Sequence, residues 1–79
     1  MEIHRNARRH RVRDEDIVHA ISHALVVDVE GRDEVRRVLF LGPDRAGNLL
    51  EVLALDFDDE RSIVIHAMRM RRKYQDLLP

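Results

Sequence analysis

Cysteine is absent from this 79-residue chain, so a disulfide framework and a thiolate metal site are both excluded and the fold must close on hydrophobic packing. Tryptophan is absent too, and Tyr74 is the single tyrosine. No apolar run approaches the ~20 residues that a membrane-spanning helix needs. Residues 1–13 are basic and polar throughout, without the apolar stretch of a signal peptide. The expectation is a soluble cytoplasmic protein with no membrane partner. A chain this short makes one small domain, 1–79, that buries roughly 60% of the surface of its unfolded form. A large enclosed pocket is not expected, and a partner can add much to stability.

What is present is charge, segregated along the chain. The formal net charge is only −1. Yet Arg5, Arg8, Arg9, Arg11 and Arg13 face only Glu2 at the start, and Arg61, Arg69, Arg71, Arg72 and Lys73 face only Asp76 at the end. Acids dominate between them. If the fold joins the two ends, they form one positive surface suited to a polyanion, beside a negative surface suited to a basic partner.

Periodicity outlines the elements. Residues 1–10 carry only Ile3 and Ala7 at i, i+4 and read as a weak helix. In residues 14–25 the apolar stripe Ile17, Ala20, Ile21, Ala24 and Leu25 predicts an amphipathic helix, with Asp14, Glu15 and Asp16 opposing its dipole. Residues 25–29 read as a strand, followed by a turn over Glu30, Gly31, Arg32 and Asp33. Residues 36–41, 49–57 and 62–68 read as three further strands of an antiparallel meander. Residues 69–78 read as a short helical tail anchored by Tyr74, Leu77 and Leu78. The fold class is therefore α+β, with N-terminal helices on a small antiparallel sheet of three to four strands and a short C-terminal helix.

Alternation then assigns faces. Leu50, Val52 and Ala54 share one face of the third strand, and Leu49, Leu53, Leu55 and Phe57 share the other, so both faces need cover. In the fourth strand Ile63, Ile65 and Ala67 are expected under the amphipathic helix, with Val64, His66 and Met68 opposite. His66 thus projects from the helix-free face, just ahead of the Arg69, Arg71, Arg72 and Lys73 run. A group that titrates near neutrality beside fixed cations is what handling of a polyanion requires.

The order of a basic helix, His10 followed by Val12, an acidic amphipathic helix, Arg37 ahead of Gly42, the Leu49-Leu50-Glu51-Val52 strand, and Ile63-Val64-Ile65-His66-Ala67 before a basic tail with a tyrosine resembles the BrnT toxins. These are small bacterial type II toxin–antitoxin ribonucleases with a RelE-like fold. Arg11 stands where that family usually has glycine, and Met68 where it usually has arginine. The resemblance implies endoribonuclease activity without metal or cofactor, growth arrest, and a cognate antitoxin of ribbon-helix-helix type. The assembly would be a homodimer or a toxin–antitoxin hetero-oligomer.

Cleavage of RNA without a metal needs a base for the 2′-hydroxyl proton, an acid for the leaving oxygen and fixed cations at the phosphate. The candidate catalytic residues are His66, Arg37 and Arg69, and the candidate RNA contacts are Arg36, Arg72, Lys73, Tyr74 and His10. The plainer readings are a half-buried strand histidine for His66, a cross-strand ion pair for Arg37 and a structural joint for His10. Tyr74 either stacks on a base or anchors the tail. His19 and His23 stand at helical chelating distance, but both are expected in solvent without a third ligand, so no metal site is assigned. The alternative function is a non-catalytic RNA- or protein-binding module on the same scaffold.

Overall fold

A computed structural model describes residues 1–31 and 34–79. Strand β1 (Glu2–Ile3) leads into a 3-10 turn (Arg5–Arg8) and helix α1 (Asp14–Ser22); β2 (Val26–Glu30), β3 (Val35–Pro43), β4 (Leu49–Phe57) and β5 (Ser62–Arg69) follow, then a second 3-10 turn (Arg72–Leu77). The sheet order is β1-β5-β4-β3-β2. The four longer strands are antiparallel neighbours, and β1 runs parallel to β5.

The α+β class agrees with the expectation, while the N-terminus and the tail differ from it. Ile3 and Ala7 are not one helical face: Ile3 pairs with Val64 in the sheet, and Ala7 is fully buried in the 3-10 turn. Both reach the same core by different backbones, which an i, i+4 pair alone cannot distinguish from a helix. Among the described residues the sheet is accordingly mixed and five-stranded, covered by one α-helix. The tail is a 3-10 turn rather than an α-helix. The expected turn at Glu30, Gly31, Arg32 and Asp33 includes residues 32 and 33, which lie outside the described residues.

One side of the sheet carries a cluster of buried apolar residues. Ile17 and Ala20 of α1 meet Leu50, Val52 and Ala54 of β4 and Val64 and Ala67 of β5, with Ala7 alongside. Four of these eight are alanines, so the helix and the turn sit close to the sheet. Gly42 takes this closest: a Cβ there would collide with the backbone carbonyl oxygen of Ala20 and lie 3.0 Å from Ala24 Cα. Neither obstacle is a movable side-chain tip. Gly42→Ala is expected to cost about 3 kcal/mol, measured by urea unfolding, because α1 must lift off β3.

Simple alternation breaks in β5. Leu53 pairs with His66 and Ala54 pairs with Val64, so Ile65 is an extra residue in a β-bulge. The core residues are therefore Val64 and Ala67, three apart, instead of Ile63, Ile65 and Ala67. Ile63 is the cross-strand partner of Leu55 and lies on the opposite face. The bulge keeps His66 on that opposite face, as expected from the sequence.

Candidate active site

On the face away from α1, β4 presents Glu51 between Leu49 and Leu53. Its side chain is fully buried. A carboxylate removed from water needs several donors, and Glu51 has them. Its Oε1 accepts from His66 Nε2 at 2.9 Å, from Arg71 Nε at 2.9 Å and from the Arg71 Nη2 group at 2.7 Å. Its Oε2 accepts from the Arg71 backbone N–H at 3.0 Å. Burial pushes the Glu51 carboxyl up, but the bonds from Arg71 and His66 outweigh it and hold its pKa below the ordinary glutamate value. The Arg71 guanidinium is raised in turn, chiefly by its bond to Glu51. Glu51 is thus a fixed anion at neutral pH.

That anion sets the state of His66. Because Nε2 bonds to a carboxylate, Nε2 carries the hydrogen, and in the neutral ring Nδ1 holds the lone pair. The His66 side chain is 23% exposed, so the ring is held from behind and reachable from outside. His10 stands beside it, with ring centroids 5.7 Å apart and planes at 78°. The segment carrying His10 is tied at both ends. Arg8 makes two bonds to Asp14, at 3.0 and 2.8 Å, and a third to the Ile3 carbonyl at 3.3 Å. Between them Arg11 adopts φ 62°, the left-handed region that favours glycine.

This conformation strains the arginine. A non-glycine residue in that conformation costs about 1–2 kcal/mol, partly offset in a variant by the greater freedom of glycine when unfolded. Arg11→Gly is expected to raise stability by about 0.5–1 kcal/mol, read as a higher urea midpoint with unchanged slope.

The sheet divides the remaining candidates. Arg37 is on the His66 face, but it pairs with Leu55 of β4 and Glu30 of β2 and is not a direct neighbour of His66. Lys73 and Tyr74 border the same face, where the Lys73 Nζ lies 5.0 Å and the Arg71 guanidinium 5.9 Å from the Tyr74 ring centre. Arg72 is exposed at the start of the second 3-10 turn. Arg69 pairs with Leu50 and so belongs to the α1 side, where it lines a cleft with His10, Arg11 and Arg13. Arg36, paired with Asp56, also lies on the α1 side. The two basic ends of the chain do meet, wrapped around the end of β5 instead of spread over one face.

The sequence alone gives Glu51 no role and counts Arg71 only as one cation of the basic run. The available signal is an acid set between Leu50 and Val52 in an apolar strand whose faces both need cover, which requires a buried cation or donor set. Its partner, twenty residues away, could not be told from the other arginines of the tail.

Of His19 and His23, both expected in solvent, His23 is exposed as expected and His19 is not. His19 is half-buried, with Nδ1 2.8 Å from the Pro43 carbonyl oxygen, and its ring stacks on His23 at 4.0 Å. Helical phase did not foresee that the β3–β4 loop returns beside α1. Among the described residues, no three or more His, Cys, Asp or Glu side chains are grouped to hold a metal ion.

The fold and site define a small α+β fold in which His66 and Arg71 gather on a buried Glu51. No protein-family model matches the chain, and neither the curated proteins nor the solved structures contain a significant match. No described helix is long and apolar enough to cross a membrane.

Proposed function

We propose that the chain is a metal-independent endoribonuclease of the toxin type suggested by its BrnT resemblance. The observation that carries the reading is the Glu51–His66–His10 arrangement, in which a buried carboxylate fixes the tautomer of one imidazole and a second imidazole stands beside it. His66 Nδ1 takes the proton from a ribose 2′-hydroxyl. The 2′-oxygen bonds to the adjacent phosphorus, the bond from phosphorus to the 5′-oxygen breaks, and protonated His10 supplies the proton that the 5′-oxygen gains. The products are a 2′,3′-cyclic phosphate and a 5′-hydroxyl end. Arg71 and Glu51 act through His66, while Arg72 and Lys73 supply positive charge for the RNA backbone.

The second half of the proposal is a cognate antitoxin, a partner that the resemblance implies. Val27 and Val29 are more than half exposed on β2, a free edge of the sheet, and offer such a protein apolar surface.

The test is expression of the chain alone from an inducible promoter, together with incubation of purified protein with RNA in chelator. Growth arrest and cyclic-phosphate ends are expected. RNA retention that weakens steeply with salt but yields no products would replace this reading with the binding-module alternative.

A further inference from the structure

The strand register lines up one row of residues across the face that carries His66. His66 of β5 pairs with Leu53 of β4, Leu53 with Leu39 of β3, and Leu39 with Asp28 of β2. Three strand spacings separate the ends of the row, roughly 14 Å. The next row runs from Ile63 through Leu55 and Arg37 to Glu30. Over these rows lies an open cleft of about 390 Å³, floored by Leu39 and Leu53, walled by Tyr74, and rimmed by Asp28, Glu30 and Arg37. This volume is within the range of small-ligand sites. None of the ion pairs among the described residues uses Asp28, Glu30 or Arg37.

We propose that this cleft is a nucleobase pocket selective for guanine, placed to hold the base of the nucleotide whose phosphate meets His66. The inference rests on the ribonuclease reading for its substrate, and the register supplies its geometry. Apolar floor and aromatic wall suit the faces of a base, while the polar rim suits its edges. Guanine presents two adjacent donors, N1–H and the N2 amino group, and two adjacent acceptors, O6 and N7. A carboxylate accepts the first pair, and an arginine donates to the second. Glu30 and Arg37, direct partners on β2 and β3, set an acceptor group beside a donor group, with Asp28 as a second acceptor two residues along. Adenine and uracil lack both of these adjacent pairs, and cytosine lacks the donor pair. The acids at this end of the row also disfavour a phosphate there and leave it to the basic end near His66 and Arg71.

The decisive experiment titrates the intact protein with 3′-GMP, 3′-AMP, 3′-CMP and 3′-UMP. Binding is read from NMR shifts of the Leu39 and Leu53 methyl groups and the Tyr74 ring. Binding of 3′-GMP at least tenfold tighter than the other three is expected, with Arg37→Ala and Glu30→Gln each narrowing that preference towards parity. Cleavage of RNA should fall mainly 3′ of guanosine. Equal binding of all four nucleotides would overturn the pocket, as would displacement of those resonances by an arginine-rich peptide and not by 3′-GMP. Selective 3′-GMP binding without RNA cleavage keeps the pocket and removes the nuclease reading. Cleavage without base preference or nucleotide shifts does the reverse.

Discussion

Replacing Glu51 by alanine is expected to cost about 3–5 kcal/mol of stability, the range for breaking a buried ion pair from one side. A domain of this size has only about 4–12 kcal/mol in total, so the variant should be close to unfolded at 37 °C. The cost has two sources: a cavity opens in β4, and Arg71 and His66 lose the acceptor that held them. Glu51→Gln keeps the volume and part of the bonding, and should cost about 1–3 kcal/mol. Arg71→Ala should be the milder cut, because Arg71 is 46% exposed and water can replace part of what it donated.

The same network sets a pH dependence. The Glu51 pKa lies below its ordinary value of 4.5 in the folded chain. The folded state therefore binds this proton less readily than the unfolded state. Its stabilising effect is complete above the unfolded value and is lost as the pH falls through the folded one. Asp14, held low by its bond from Arg8, and Asp16, held low by its bond from Arg45, change in the same direction. Urea unfolding between pH 7 and pH 3 should show stability falling on the acid side, with a shallower fall in Glu51→Gln. Identical acid slopes in the two proteins would remove Glu51 from this account.

The largest expected effect on activity belongs to His66. Loss of a positioned acid–base group typically lowers rate by 10²–10⁴, and His66→Ala should reduce RNA cleavage by about that factor. Its effect on stability should be small by comparison, about 1 kcal/mol, since Arg71 still supplies three of the four bonds to Glu51. A urea midpoint near that of the unmodified chain, with cleavage lost, separates catalysis from folding. His10→Ala provides the complementary reading. If the two rings serve as base and acid, the rate–pH profile has two limbs and each variant loses a different one. A variant of either histidine that cleaves at the unmodified rate would sink that residue's assignment.

Much of the architecture was legible from periodicity. Alternation in residues 49–57 gives a strand with Leu50, Val52 and Ala54 on one face, and β4 has those bounds and that face in the core. Residues 14–25 carried a helical stripe, of which Asp14–Ser22 is helical and Ile17 and Ala20 are fully buried. Helix and strand periods are local, so a core face prints itself on consecutive residues. The two-residue β1 left no such print, because Glu2 and Ile3 become a strand only by pairing with Ile63 and Val64 some sixty residues later.

The candidate site is legible by residue type and not by arrangement. That His66 projects from the face away from the helix follows from the sequence, although the alternation used to argue it assigned Ile63 and Ile65 to the core. A one-residue bulge shifts part of a strand to the other face, and neither Ile65 nor its neighbours announce one. Arg69 and Arg71 are both arginines of one basic run. Register puts Arg69 on the α1 side, whereas the chain beyond β5 brings Arg71 onto Glu51.

The sequence by itself determined the α+β class, the lack of cysteine chemistry, the basic ends and a histidine on the helix-free side of the sheet. Only the tertiary structure decided that Glu51 is the buried centre of the site, that Arg71 and not Arg37 is the arginine bound to it, and that His10 is the second imidazole. The reason is physical. Composition and period act between neighbours, whereas a carboxylate twenty residues from its arginine and fifteen from its histidine acquires partners only when strand register and loop path bring them within hydrogen-bond distance.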